Sequence, residues 1–143
     1  MKKWAPGKSN MIEHTSEIRV RYAETYQMRF AHHSHYITWF ELARINLLRE
    51  VGISYANLEQ EGYLMPVLEV NARFLHPAHF DDRLFVKAVI KEIPRAKLSF
   101  KYEVRNEHGE LLCTGSSLHS FMNQKERAVK PPRQFLKRIK ELL

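Results

Sequence analysis

The chain has 143 residues, of which 44% are hydrophobic and 27% charged, as expected of one globular domain. No run approaches the ~20 apolar residues of a membrane-spanning helix, so we expect no stable membrane insertion. The net charge of +7 favours anionic partners, but the basic residues are scattered and no nucleic-acid-binding motif accompanies them. We therefore expect no nucleic acid partner. The single cysteine, Cys113, excludes an intrachain disulfide and favours a reducing, cytoplasmic location.

The N-terminal segment contains Pro, Gly, Ser and Asn and has no apolar stretch of the kind found in a secretory signal. We interpret residues 1–15 as a flexible tail and residues 16–143 as a single domain. Apolar and basic residues alternate over residues 18–22, which predicts a first strand. Residues 23–34 show no clear period and are predicted to form a loop.

A long helix is predicted to follow this loop. One of its faces is formed by Tyr36, Phe40, Ala43, Leu47 and Val51. Ile37 and Leu42 make the remaining surface apolar as well, so we expect burial on more than one side, as when a sheet wraps a helix. Gly52 is placed to end this helix, and Ser54 can cap a short second one.

After Gly62 the spacing of apolar residues changes to two, which predicts strands. The predicted strands cover residues 65–75, 84–90, 98–105 and 111–122. Their short connections favour antiparallel neighbours, and the element order indicates an α+β fold with a sheet around one central helix. The C-terminal residues predict an amphipathic helix that packs on the domain edge and turns a basic face to solvent.

Residues 19–44 read RVRYAETYQMRFAHHSHYITWFELAR. This segment resembles the signature of the hotdog-fold acyl-CoA thioesterases of the 4-hydroxybenzoyl-CoA thioesterase and YbgC-like family, in which R-Y-x-E-T-D-x-M-G precedes H-x-N-Y and W-F-E-x-A-R. MPVLEVNARFLHPAHFDDRL and LSFKYEVRNEHGELLCTGSSLHSFMN resemble further segments of the same family. The resemblance covers residues 17–132. It implies a hotdog fold, a five-stranded antiparallel sheet wrapped around a long central helix, in homodimers or homotetramers.

The resemblance also implies hydrolysis of an acyl-CoA to a free acid and CoA, without a cofactor. In the family, the Asp of E-T-D acts as nucleophile or general base, but this chain has Tyr26 at that position. Arg29 and His35 are further departures from the family pattern. A tyrosine hydroxyl keeps its proton at neutral pH and is a poor base, so Tyr26 either hydrogen-bonds the thioester carbonyl or fills the acyl pocket.

Other residues of this segment are candidates for the missing catalytic role. His33 matches the family histidine and is either the substitute base or a structural residue. Glu24 either holds the attacking water or has a structural role, and Tyr22 matches the family tyrosine. The resemblance places the oxyanion site at the first backbone N–H groups of the helix, those of His35 and Tyr36.

Two further features concern ligands. Arg95, Lys97 and Ser99 lie where the family offers cationic or hydroxyl groups to CoA phosphates, although a solvated hairpin tip has the same composition. The histidines at positions 32, 33 and 35 lack the carboxylate or thiolate that would complete a metal site, so no metal is expected. Two functions are favoured: an acyl-CoA thioesterase, and a hotdog protein that binds acyl-CoA or an acyl carrier without hydrolysing it. Binding of nucleic acid or a partner through the basic surface is the weakest alternative, because the basic residues form no clustered motif.

Overall fold

The structure, a computed structural model, describes residues 11–27 and 29–143. The strands are β1 (Ile12–Arg19), β2 (Thr25–Tyr26), β3 (Phe30–Ala31), β4 (Val67–Phe74), β5 (Arg83–Ile90), β6 (Leu98–Asn106), β7 (Leu111–His119), β8 (Phe121–Met122) and β9 (Ala128–Val129). The helices are α1 (Ser34–Glu50), α2 (Tyr55–Gln60) and α3 (Arg133–Leu142), with a 3₁₀ turn at Tyr22–Glu24. Most of the expected N-terminal tail, residues 1–10, lies outside the described residues.

Five strands form one sheet in the order β1-β5-β6-β7-β4, and all neighbours are antiparallel. The sheet wraps around α1, and the hydrophobic core lies between the helix and the sheet. The expected α+β hotdog fold, a five-stranded antiparallel sheet around a long central helix, is confirmed. β4 is an edge strand that leaves one side of its backbone without a neighbouring strand among the described residues.

The first strand lies earlier in the chain than predicted, at residues 12–19 instead of 18–22. It pairs with β5, and Ile12 stands opposite Ile90. Ser16 is buried on the inward face of β1 and interrupts the apolar alternation by which a strand is recognised. The first four residues of β1 therefore belong to the sheet, and the predicted tail boundary at residue 15 is wrong.

The predicted apolar face of α1 is confirmed as the face that packs on the sheet. Its buried residues include Tyr36, Phe40, Ala43, Leu47 and Val51 at the C-cap. The expected burial on more than one side is not found within a single chain, because Ile37 is 46% exposed and Leu42 is 41% exposed. The sheet covers one side of the helix and leaves an apolar strip uncovered.

Gly115 in β7 allows this helix to approach the sheet closely. A Cβ atom at this position would lie 2.5 Å from a ring carbon of Phe40 and 2.8 Å from the backbone oxygen of Asn71. The Phe40 ring in turn stacks on Tyr102, with 4.4 Å between the ring centroids. A glycine is therefore required where α1 crosses β7.

A polar cluster is buried between the sheet and the helix. The Ser117 hydroxyl lies 2.6 Å from the Tyr102 hydroxyl and 2.7 Å from Nε2 of His119. The buried guanidinium of Arg44, on α1, lies beside them. Burial, together with the charge of Arg44, lowers the pKa of His119 to about 4. His119 is therefore a neutral ring inside the core at physiological pH.

The smaller helices follow their predicted caps and faces. Ser54 Oγ accepts the Asn57 N–H at 3.3 Å, which caps α2. The apolar side of α3 is buried, as predicted, and Arg138 on this helix donates to the Val51 carbonyl at the end of α1 at 2.7 Å. No helix in the described part of the chain is long and apolar enough to cross a membrane.

Candidate active site

A pocket of about 590 Å³ lies at the start of α1, between the β2–β3 ribbon and the end of β4. It is lined by Tyr26, Phe30, Ala31, His32, His33, Tyr36, Phe74, Leu75, His76 and Pro77. Most of these side chains carry aromatic rings, and three of them are histidines. The pocket therefore combines an apolar wall with imidazole groups able to donate or accept protons.

Tyr26 stands on the outer wall of this pocket. Its side chain is 53% exposed, and its ring stacks on Phe30 and His32 with centroid distances of 6.3 Å and 5.8 Å. The structure therefore brings the residue at the family Asp position to the pocket, as the resemblance implied. Its surroundings are rings, so it contributes wall surface as well as a hydroxyl.

His33 is the residue directly before α1 and is exposed at the pocket. Its ring lies 4.1 Å from that of His32 and 6.2 Å from that of Phe74, measured between centroids. The imidazole does not cap the helix and has no hydrogen-bond partner among the described residues. Its nitrogens are therefore open to a bound substrate or water.

The backbone N–H groups at the start of α1 differ from the predicted oxyanion site. The His35 N–H donates to the His32 carbonyl at 3.1 Å, and the Tyr36 N–H donates to the His33 carbonyl at 3.3 Å. The Ser34 N–H donates to Nδ1 of His32 at 3.2 Å. The His33 N–H has no acceptor within residues 11–27 and 29–143. The donor left open is thus two residues earlier than the sequence predicted.

Glu24 is brought near the site but is turned away from the pocket. Its carboxylate is buried and accepts the backbone N–H of Arg21 at 2.8 Å and the indole N–H of Trp39 at 2.9 Å. Burial by itself would raise its pKa, but these hydrogen bonds and the Arg21 guanidinium outweigh burial and lower it. Glu24 therefore ties the segment before β2 to α1, which is a structural role.

Tyr22 and the predicted CoA-binding residues do not line the pocket within one chain. Tyr22 is 55% exposed, and its ring meets Phe80 edge to face at 5.6 Å. Arg95 and Lys97 are exposed in the connection between β5 and β6. Ser99 lines a separate, small cavity on the sheet with Lys101 and other polar residues.

Two groups near the pocket floor are held in their protonated forms by burial. Burial raises the pKa of the Tyr36 hydroxyl to about 12, with a smaller contribution from Cys113. Burial also raises the pKa of the Cys113 thiol to about 11. Cys113 is thus an unreactive thiol in the core, in agreement with its prediction as a packed side chain.

His76 and its neighbours in the β4–β5 connection are pocket residues that sequence reasoning missed. Phe74, Leu75, His76 and Pro77 form the wall that faces the β2–β3 ribbon. The sequence signal was present, since an aromatic, a histidine and Pro-Ala occur in the family segment of residues 65–84. Only the folded chain shows that this segment meets the start of α1.

Comparison with known proteins places the chain in a family. The chain matches the thioesterase-like superfamily model over residues 20–139 and belongs to this superfamily. No cluster of three or more His, Cys, Asp or Glu side chains suited to a metal occurs among the described residues.

Individual relatives agree with this assignment. The chain is 35% identical over 103 residues to a Bacillus subtilis protein named "Putative acyl-CoA thioesterase YneP". The aligned region covers 72% of this chain and 75% of the relative. It is 27% identical over 95 residues to the Escherichia coli acyl-CoA thioester hydrolase YbgC, covering 66% and 71% of the two chains. The solved structure of a DHNA-CoA thioesterase from Staphylococcus aureus superposes with a TM-score of 0.84 at 32% identity, covering 90% of this chain and 87% of that one. The predicted thioester hydrolase of YbgC-like type is confirmed, and a binding protein without hydrolysis is not favoured.

Proposed function

We propose that this thioesterase hydrolyses acyl-CoA esters in the pocket at the start of α1. The observation that carries the proposal is the open backbone N–H of His33 beside an imidazole that is itself without a partner among the described residues. The first group can polarise a thioester carbonyl, and the second can accept a proton from water. Both lie at a pocket with an apolar wall able to take an acyl group.

Carbonyl polarisation falls to the His33 N–H. It precedes the first turn of α1, where the partial positive charge of the helix end favours a developing oxyanion. The N–H groups of His35 and Tyr36 are occupied by carbonyls of the preceding turn, so they support the helix start rather than the substrate.

The general base is the His33 imidazole. Water attacks the carbonyl carbon while this ring takes one of its protons, and the tetrahedral oxyanion is held by the backbone N–H. The C–S bond then breaks, and the CoA thiolate leaves and receives the proton from the imidazolium. The Glu24 carboxylate cannot substitute for this base in the same conformation, since Arg21 and Trp39 hold its oxygens.

A second copy of the chain completes the site in this proposal. β4 is an open edge, and its exposed residues include Val67, Leu68, Val70 and Phe74. Phe74 also lines the pocket, so pairing of two copies along β4 would close one pocket wall. We propose a homodimer of this kind, or a tetramer built from it. Arg95, Lys97 and Ser99, which lie apart from the pocket of their own chain, would then bind the phosphates of CoA in the pocket of the other copy.

A cytoplasmic location fits acyl-CoA as substrate and the free, buried Cys113.

The test is release of free thiol from aliphatic and aromatic acyl-CoAs by the natural chain, Tyr26→Asp and Tyr26→Asn. The Asn variant is the matched control, because it has the size of Asp without its charge. We expect the natural chain to turn over and the two variants to differ little from each other. Turnover by Tyr26→Asp alone would mean that the natural chain binds acyl-CoA without hydrolysing it. Absence of both turnover and binding in all three proteins would overturn the proposal.

A further inference from the structure

The neutral ring of His32 is held in one tautomer by its neighbour Ser34. The Ser34 hydroxyl lies 2.8 Å from Nδ1 of His32, and the Ser34 backbone N–H donates to the same nitrogen at 3.2 Å. A backbone N–H can only donate, so Nδ1 must carry a lone pair. The proton of the neutral ring is therefore on Nε2.

The backbone of His32 is fixed as firmly as its ring. Its N–H donates to the Glu24 carbonyl at 2.9 Å, and its carbonyl accepts the His35 N–H at 3.1 Å. The ring lies between Tyr26 and His33, with centroid distances of 5.8 Å and 4.1 Å. A side chain held at both its backbone and its ring keeps the direction of its free nitrogen.

The free nitrogen of this ring is a donor at the pocket. His32 lines the pocket and is only half-buried. Among the described residues its ring hydrogen bonds are at Nδ1, which leaves Nε2 without a partner there. While Ser34 occupies Nδ1, the ring has no lone pair left to act as a base. The two adjacent histidines therefore differ in what they can do: His32 can donate, and His33 is free to accept.

We infer that His32 is a catalytic hydrogen-bond donor, with Nε2–H directed to the thioester carbonyl oxygen, and that Ser34 is the positioning residue that sets its tautomer. This inference rests on the proposed function for its substrate. It adds a side-chain donor to the His33 backbone N–H, and it places donor and base on consecutive residues. Donors of this kind stabilise the oxyanion because they are already oriented before the reaction.

The tautomer can be tested without any substrate. Two-bond nitrogen–proton NMR spectra of the full chain labelled with ¹⁵N-histidine distinguish the two neutral tautomers, and His32→Gln assigns the signal. We expect the neutral ring of His32 to carry its proton on Nε2. Ser34→Ala removes the hydroxyl but keeps the backbone N–H donor, so it should weaken the preference for the Nε2-protonated ring without reversing it, and Ser34→Thr, which retains a hydroxyl, should restore the full preference. An Nδ1-protonated His32 in the natural chain would overturn the inference.

The donor role is tested with His32→Gln and His32→Phe. Glutamine keeps a neutral N–H donor near the position of Nε2, whereas phenylalanine keeps only the ring. We expect His32→Phe to lower kcat by about 10²–10³-fold, the effect of removing one oxyanion donor, and His32→Gln to recover most of this loss. Equal losses in both variants would overturn the donor role. The same two substitutions at His108, an exposed histidine in the β6–β7 turn, are the matched control.

Binding measurements keep failure of this inference separate from failure of the proposed function. The Kd for an acyl-CoA is measured by calorimetry for the natural chain, His32→Gln and His32→Phe. A natural chain that binds the ester but releases no thiol would contradict hydrolysis, while weaker binding by His32→Phe than by His32→Gln would still support the donor. Equal Kd values in the absence of turnover would overturn the donor as well.

Discussion

Two hydrogen-bonded serine–histidine pairs occur among the described residues, one at the pocket and one in the core. Ser34 Oγ lies 2.8 Å from Nδ1 of His32, and Ser117 Oγ lies 2.7 Å from Nε2 of His119. The two distances are nearly the same, yet His32 lines an open pocket and His119 is 0% exposed. A hydrogen bond between serine and histidine thus does not identify a catalytic pair, because the pair also needs access to substrate.

The environment of each pair decides its role. The interior pair is enclosed by Tyr102, by Phe100, whose ring lies 5.4 Å from His119, and by Arg44. Burial and this cation keep His119 neutral, so it can stabilise the core but cannot exchange protons readily. The pocket pair has an open side, and the ring nitrogens of its neighbour His33 have no hydrogen-bond partner within residues 11–27 and 29–143. We therefore propose catalysis for the pair at the pocket and its neighbour His33, and a stabilising role for the buried pair.

The largest expected contrast is between His33→Ala and Ser117→Ala. Loss of the general base should lower kcat by about 10²–10⁴-fold with little change in stability. Ser117→Ala should leave turnover per folded molecule unchanged and reduce the free energy of unfolding by about 1–3 kcal/mol, because two buried partners lose a hydrogen bond. Thiol release and denaturant unfolding measure the two effects, with His108→Ala as control. A large loss of kcat in Ser117→Ala would show that the buried pair, and not the pocket pair, takes part in catalysis.

The pH dependence of stability should reveal the buried histidine. The pKa of His119 is lowered from 6.5 to about 4, so the unfolded chain binds more protons between these values. Its contribution of about 3 kcal/mol is complete above 6.5 and is lost as the pH falls toward 4. Glu24, whose pKa is also lowered, adds a loss of stability only below its ordinary 4.5. The free energy of unfolding, plotted against pH, should have a different slope for the natural chain and for His119→Gln between pH 4 and 6.5. Identical slopes would contradict the lowered pKa of His119.

Trp39→Phe should weaken the contact between α1 and the segment that leads into the β2–β3 ribbon. The substitution removes the indole N–H that Glu24 accepts at 2.9 Å, leaving a buried carboxylate with one donor fewer. We expect the free energy of unfolding to fall by about 1–3 kcal/mol. Glu24→Gln and the double variant complete a double-mutant cycle. The double variant should lose less unfolding free energy than the sum of the losses in the two single variants. Strict additivity would show that the two side chains do not interact.

The smallest effect is expected for Tyr26→Phe. The phenyl ring preserves the stacking on Phe30 and His32, and only the hydroxyl is lost. If Tyr26 contributes wall surface, kcat should change by about twofold or less, as for a change of about 0.5 kcal/mol. A much larger loss in the thiol-release assay would assign a hydrogen bond from the Tyr26 hydroxyl to the thioester carbonyl.

Local periodicity predicted most of the fold. The predicted strand over residues 98–105 is observed as Leu98–Asn106, and its apolar residues are buried alternately. The central helix was predicted to within about two residues at each end, which is the usual uncertainty of helix boundaries. The first strand was misplaced because Ser16 and His14 lie on its inward face, where the pattern requires apolar side chains. Periodicity fails where a polar residue is buried by its tertiary partners.

The candidate site was predicted in part. The resemblance correctly brought Tyr26 and His33 to one pocket, because both belong to one continuous segment. It could not show that Glu24 is engaged by Trp39, or that His35 and Tyr36 use their N–H groups within the helix start. It also missed His76, which joins the pocket from a segment more than forty positions downstream. Hydrogen-bond partners and long-range neighbours are properties of the folded chain.

The sequence by itself determined the residue types, the order of helix and strands, and the family. These follow from short-range spacing, since side chains two or about four residues apart share a face of a strand or a helix. The tertiary structure alone decided which of two similar serine–histidine pairs is open to substrate, and which backbone N–H at the start of α1 has no acceptor in the described part of the chain. Access and hydrogen-bond occupancy depend on what packs against each group, and these neighbours come from distant parts of the chain.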